Sequence, residues 1–245
     1  MGIPPAQAAA VGRRIWKNEC EGTITGLTSW NSGESFPSLG IGHFIWYPRG
    51  GEDRFQESFP GLLDYFRERG VTVPRWLSEA GYCPWSTKKE FDAARNSLHM
   101  HELRHLLVST VSIQADYIAR RLATALPRMT ATLPDRERHR VNDRFQALFQ
   151  TPGGLYALMD YVNFKGEGIK ATERYKRQGW GMLQVLQGMR GCSRGTEAVK
   201  EFAASACRVL ARRVFNAPPE RRSFEKRNLP GWKSRVQSYL HAIAP

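Results

Sequence analysis

Glu19, Glu21 and Glu34 stand close together in the stretch NECEGTITGLTSWNSGESFPSLGIGHFIWYP, residues 18–48, among closely spaced glycines, His43 and two tryptophans. Carboxyl groups are candidates for acid–base work, and neighbouring glycines let a backbone turn sharply or approach a ligand. Spacing separates the glutamates. Val11, Ile15 and Glu19 recur at i, i+4 and i+8, so Glu19 lies on the apolar stripe of a helix expected over 6–20. Glu21 would lie about 200° further round that helix. Desolvation at the buried end of a helix disfavours the charged form of a carboxyl, and a general acid at neutral pH needs that. The competing reading of Glu19 is an ordinary ion pair with an arginine or a loop cap.

A second cluster is DYVNFKGEGIKATERYKRQGWGMLQVL, residues 160–186, with Tyr161, Asn163, Trp180 and Gln184. Aromatic faces stack on sugar rings, while Asn and Gln amides bridge hydroxyl and N-acetyl groups. Glu167 is a further carboxylate there. The segment also reads as a polar loop between helices, with Trp180 as a core anchor. A third constellation is His101-Glu102-Leu103-Arg104-His105, a formal H-E-x-x-H. On a helix, two histidines one turn apart could hold zinc, with Glu102 as general base of a metallopeptidase. No third ligand follows at the usual spacing; His139, Asp116 and Glu137 are unspecific, and His99 faces away from the pair. A histidine-rich, solvated helix face is the plainer reading, so no metal is assigned.

These residues need elements to hold them. Beyond the first helix, the glycines at 26, 33, 40 and 42, with Leu39, Ile41, Phe44, Ile45 and Trp46 between or after them, predict a loop and short hairpin over about 23–48. This is the one convincing β signal. Helical patterns follow over 59–69, 74–80, 87–107, 110–127, 134–150, 153–163, 180–190, 195–216 and 230–243. The expected class is α+β, mainly α: one helical domain over 1–245 with a small β-hairpin near the N-terminus.

Composition narrows the function classes. The 245 residues carry 36 Lys and Arg against 23 Asp and Glu, a net charge of +13. From Lys170 to Pro245 there are 16 basic and 5 acidic residues, so that third holds +11 of the total. Such asymmetry fits contact with a polyanion, whether nucleic acid, an anionic membrane surface or bacterial wall polymer, or a solvated arginine-rich surface. No nucleic-acid-binding signature accompanies it, and no apolar run is long enough to span a bilayer. The four cysteines, Cys20, Cys83, Cys192 and Cys207, contain no Cys-x-x-Cys and leave the redox compartment open. No apolar h-region of a signal peptide is visible at the start.

A helix ending in Glu19, followed by Ser38-Leu39-Gly40-Ile41-Gly42-His43, resembles the lysozyme-like superfamily. Phage-type lysozymes have a catalytic Glu near the end of the first long helix, then a hairpin closing in Thr-Ile-Gly-x-Gly-His. Goose-type lysozymes and lytic transglycosylases often read Glu-Ser at the acid, to which Glu19-Cys20 is similar. Tyr161-x-Asn163 with Gly166, and Gly179-Trp180-Gly181-Met182-Leu183-Gln184, are similar to sugar-cleft elements of lytic transglycosylases, in reversed order. The resemblance implies cleavage of peptidoglycan glycan strands, with Glu19 as general acid and Glu21 as its competitor. It implies Glu34 as a loosely matched second carboxylate, Ser38 near an attacking water, and a structural His43. Tyr161, Asn163, Trp180 and Gln184 would line sugar subsites. It further implies no cofactor, no nucleic-acid partner, a monomer, and a periplasmic or secreted location. The alternatives are the zinc peptidase and a non-catalytic glycan-binding protein of the same fold.

Overall fold

The computed structural model describes residues 4–51, 57–191 and 193–241. The chain is mainly helical with small antiparallel sheets. It forms two compact units, residues 2–118 and 119–245.

The N-terminal unit opens with α1 (Pro5–Glu19), which buries Ala8, Val11 and Ile15 along one face. The helix stops because Glu21 and Gly22 both take positive φ, 55° and 66°, and the Gly22 amide bonds back to Trp16 O at 3.1 Å. Three two-residue strands follow: β1 (Thr28–Ser29), β2 (Ser38–Leu39) and β3 (Phe44–Ile45). They pair antiparallel in that order, with Thr28 opposite Leu39 and Ser38 opposite Ile45. Then come α2 (Phe59–Glu68), α3 (Arg75–Glu79), α4 (Lys88–Ala93), a 3-10 turn (Ala94–Asn96) and α5 (Leu98–Ser109). The core of this unit sets Trp46 against Phe59 at 5.0 Å between ring centres, and Phe44 and Tyr65 against Tyr117.

Helix α6 (Val111–Thr130) carries the chain into the C-terminal unit. There α7 (Asp135–Phe149) and α8 (Pro152–Lys165) lead to a two-stranded ribbon, β4 (Arg174–Tyr175) and β5 (Gln178–Gly179). Helices α9 (Met182–Gly188), α10 (Gly195–Asn216) and α11 (Pro219–Gln237) complete it. Tyr161, Phe202, Tyr156 and Tyr239 are buried together as edge-on or tilted pairs. Two buried carboxylates tie the helices. Glu225 accepts from Arg213 Nε and Nη2, at 2.7 and 2.8 Å, and from the Tyr175 hydroxyl. Asp160 takes Arg235 and Tyr239.

Four expectations need correction. The helix expected over 87–107 is two helices, because Ser97 leaves helical geometry (ψ 158°) and caps α5 by accepting the Met100 amide. The helix expected to stop at Pro127 runs on to Thr130, whose hydroxyl bonds Leu126 O at 3.0 Å while Met129 enters the core. The last helix begins at Pro219 and passes through Pro230, with Glu225 and Val236 buried on either side of it. And a second β pair exists at 174–179. Its turn places Lys176 and Arg177 at φ 49° and 64°, a conformation usually announced by Asn or Gly.

Candidate active site

The N-terminal unit brings the end of α1 against the turn between β2 and β3. Gly40 sits at φ 67° and His43 at φ 47°, so residues 40–43 reverse direction tightly. Two attachments hold the turn. The Gly40 amide donates to Leu27 O at 2.8 Å. The Ile41 amide donates to Gln114 Oε1 at 2.9 Å, and Gln114 Nε2 donates to Leu107 O (2.6 Å) and Thr110 Oγ1 (3.0 Å). Gln114 is fully buried, so its amide works wholly inside the protein. A Cβ on Gly40 would overlap Gln114 Oε1, so a larger residue there would have to strain the backbone and push the glutamine aside.

His43 joins this turn to the helix end. Its Nε2 lies 3.2 Å from Glu19 O, and since a carbonyl only accepts, Nε2 carries the proton. The Cys20 thiol donates to Gly40 O at 3.7 Å and lies 4.0 Å from His43 Nε2. Burial pushes the Cys20 thiol up to about 12, and the neighbouring Glu19 charge adds to the effect. Cys20 therefore stays a neutral thiol that packs and donates, not a nucleophile.

Within this frame the Glu19 side chain is half-buried. Glu21 is exposed and lies beyond the helix, so the 200° offset drawn from helical periodicity does not describe it. Glu34 lies in the loop between β1 and β2. Trp30 Nε1 donates to its backbone carbonyl at 2.8 Å, and Asn31 Nδ2 donates to its Oε2 at 3.2 Å. Ser38 is on the central strand and is buried, with its carbonyl accepting the Ser29 hydroxyl at 3.4 Å.

The residues of the second cluster all belong to the C-terminal unit. Tyr161 is fully buried, and its hydroxyl donates to Trp180 O at 2.8 Å. Burial pushes that phenol up. Trp180 is also buried, with the Arg213 guanidinium 4.1 Å over its ring. Gln184 is half-exposed but spends its amide locally, Oε1 on the Gly181 amide and Nε2 on Gly168 O. These three residues hold the 166–184 segment together; Asn163 is the one of the four that faces solvent. Glu167 is paired with Arg128 at 2.6 Å.

On α5, exposed His101 and His105 line a cavity of about 520 Å³ with Glu102, Val71, Thr72 and Pro74. Glu102 accepts the Trp76 indole N–H at 2.7 Å, and His99 stacks on Trp76 at 4.5 Å. Among the described residues, no group of three His, Cys, Asp or Glu side chains is placed to hold a metal ion. Those residues also contain no helix long and apolar enough to cross a membrane. Cys20, Cys83 and Cys207 are free thiols, and Cys192 lies outside the described residues.

Sequence reasoning did not find Gln114. Its signal was a polar residue on the apolar stripe of α6, between Val111 and Ile118, and such a residue needs an internal partner. No family model, curated protein or solved structure matches this chain.

Proposed function

We propose that the protein cleaves the glycan strand of peptidoglycan at the β-1,4 link between N-acetylmuramic acid and N-acetylglucosamine. One observation carries the reading. A half-buried glutamate ends the first helix, and its backbone carbonyl accepts from His43 of a Gly-x-Gly-His turn, which sets that turn beside it. The lysozyme-like resemblance assigns the general acid to that glutamate. Glu19 would give its proton to the leaving glycosidic oxygen as the bond to C1 breaks. Either water or the muramic acid C6 hydroxyl would then attack C1, giving a reducing end or a 1,6-anhydro end. Glu34, or a water held near Ser38, would assist on the opposite face, and Asn163 is the solvent-facing candidate for sugar contact in the C-terminal unit. This activity would place the protein in the periplasm or outside the cell.

The test is mass spectrometry of purified peptidoglycan incubated with wild type, Glu19→Gln and Glu21→Gln. Wild type and Glu21→Gln should release muropeptides at similar rates, unaffected by a chelator. Glu19→Gln should be slower by about 10²–10⁴-fold, the usual worth of general acid catalysis. No release by wild type at low salt would sink the proposal. Release abolished by a chelator would instead favour chemistry at His101 and His105.

A further inference from the structure

A small polar cavity of about 190 Å³ opens beside the edge strand β1. It is lined by Ser29 and Trp30, by Lys88 and Asp92 of α4, by Arg95, and by Arg104 of α5. Arg104 is only 8% exposed, which is unusual for an arginine. Its Nε donates to Thr28 Oγ1 at 2.9 Å and its Nη1 to Arg95 O at 2.9 Å. Both acceptors are neutral. A guanidinium has five N–H donors, so three are left without a protein acceptor among the described residues. No carboxylate there lies within ion-pair distance of Arg104.

The one carboxylate in the lining is already engaged. Asp92 bonds Lys88 at 2.6 Å and approaches Arg95 at 3.5 Å. The Lys88 ammonium holds it below the usual carboxylate range. Three cations against one anion leave the cavity with a net positive charge. Burial and the nearby Arg95 both work against the charge on Arg104, yet a guanidinium keeps its proton in proteins. A buried cation without a counter-charge is costly to a fold. A cavity beside it, with the free donors of that cation in its lining, is where the missing charge would sit.

We propose that this cavity is a binding site for an oxyanion, the carboxylate or phosphate of a small ligand or of a pendant group on a larger one. The free N–H donors of Arg104 take its oxygens as charge-assisted hydrogen bonds. Arg95 adds charge at the mouth, and Trp30 gives the ligand an aromatic edge. The site does not depend on Glu19 or on glycan cleavage.

Calorimetric titration of the full chain tests it, with inorganic phosphate, N-acetylmuramic acid and N-acetylglucosamine as probes and, as a second readout, the change in tryptophan emission that Trp30→Phe removes. Wild type and Glu19→Gln should bind phosphate or N-acetylmuramic acid saturably at one site, and not N-acetylglucosamine, which lacks the lactyl carboxylate. Tighter binding of one anion identifies which chemistry the site prefers. Arg104→Met should weaken binding at least about ten-fold, through loss of its charge-assisted bonds. If that variant fails to fold, Arg95→Gln carries the test, because the Arg95 side chain is 65% exposed; several-fold weakening is expected. No saturable binding of either anion, unchanged affinity in Arg95→Gln and Arg104→Met, or equal binding of both sugars would each overturn the proposal.

Discussion

Gln114 accepts the Ile41 amide and leaves no room for a side chain at Gly40, so the turn of the candidate site can be tested at both residues. Gly40→Ala adds a Cβ onto Gln114 Oε1 at a position with φ 67°. The expected cost is about 1–3 kcal/mol for the strained backbone, with more if the glutamine moves. Gln114→Leu keeps the volume but leaves the Ile41 amide without its acceptor, at about 1–3 kcal/mol. Urea denaturation should show both losses, and the double variant should cost less than their sum because the two changes remove one shared contact. Lys165 offers a test by pH. Its ammonium lies 3.6 Å from the Trp232 ring and 3.9 Å from the Phe164 ring. Burial, then the Arg213 charge, lower it to about 7, with Arg235 adding and Glu225 opposing. The unfolded chain takes up this proton below its ordinary value of about 10.4, the folded chain only below about 7. Stability should therefore fall as pH drops from about 10 to about 7 and then level off. Lys165→Met should remove that slope and raise Tm more at pH ~6 than at pH ~10, measured by calorimetric scans across the range.

At the scale of elements, the N-caps decide where helices start. Ser97 gives α5 a side-chain acceptor and ends the 3-10 turn before it. Ser97→Ala should cost about 1 kcal/mol in urea unfolding, while Ser109→Ala, at the other end of α5, should not reproduce it. Ser97 also shows how far the sequence was legible. The apolar period from Phe91 to Leu107 runs across it without a break, so periodicity joins two helices that a cap separates. The first helix and the hairpin were readable because both patterns are local, a stripe of Val11, Ile15 and Glu19 and a cluster of glycines. The β4–β5 ribbon was not, because two-residue strands show no alternation. The prolines at 127 and 230 argue for helix ends, but the buried residues beyond them outweigh the lost hydrogen bond. In the candidate site, Glu19 and His43 were legible from their motif, whereas Gln114 joins from 73 residues away and no local pattern pairs it with Ile41. Tyr161 and Trp180 have the side-chain types of a sugar subsite, and only the structure shows both buried, the Trp180 ring against Tyr175 and Arg213 and the Tyr161 ring against Phe164 and Phe202.

For the whole molecule the governing quantity is the net charge of +13, concentrated after Lys170. Several of those cations are already committed inside the C-terminal unit, as with Arg213 to Glu225 and Arg235 to Asp160. The exposed remainder would act at long range on an anionic wall. Raising the salt from about 0.1 M to about 1 M shortens the screening length from ~10 Å to ~3 Å. The kcat/KM for wall fragments should then fall several-fold while the rate at saturation holds, as initial-rate measurements across a salt series would show. If kcat falls in parallel, the charge acts on the chemistry rather than on the encounter. The Gln114 anchor has a last consequence, in time rather than in space. Glu19, Glu34 and Ser38 are all made before Gln114, so the turn beside Glu19 lacks its acceptor until residue 114 has been added. The candidate carboxylate is thus present before the turn beside it is anchored, and that part of the N-terminal unit stays unfinished until Gln114 of α6 is in place.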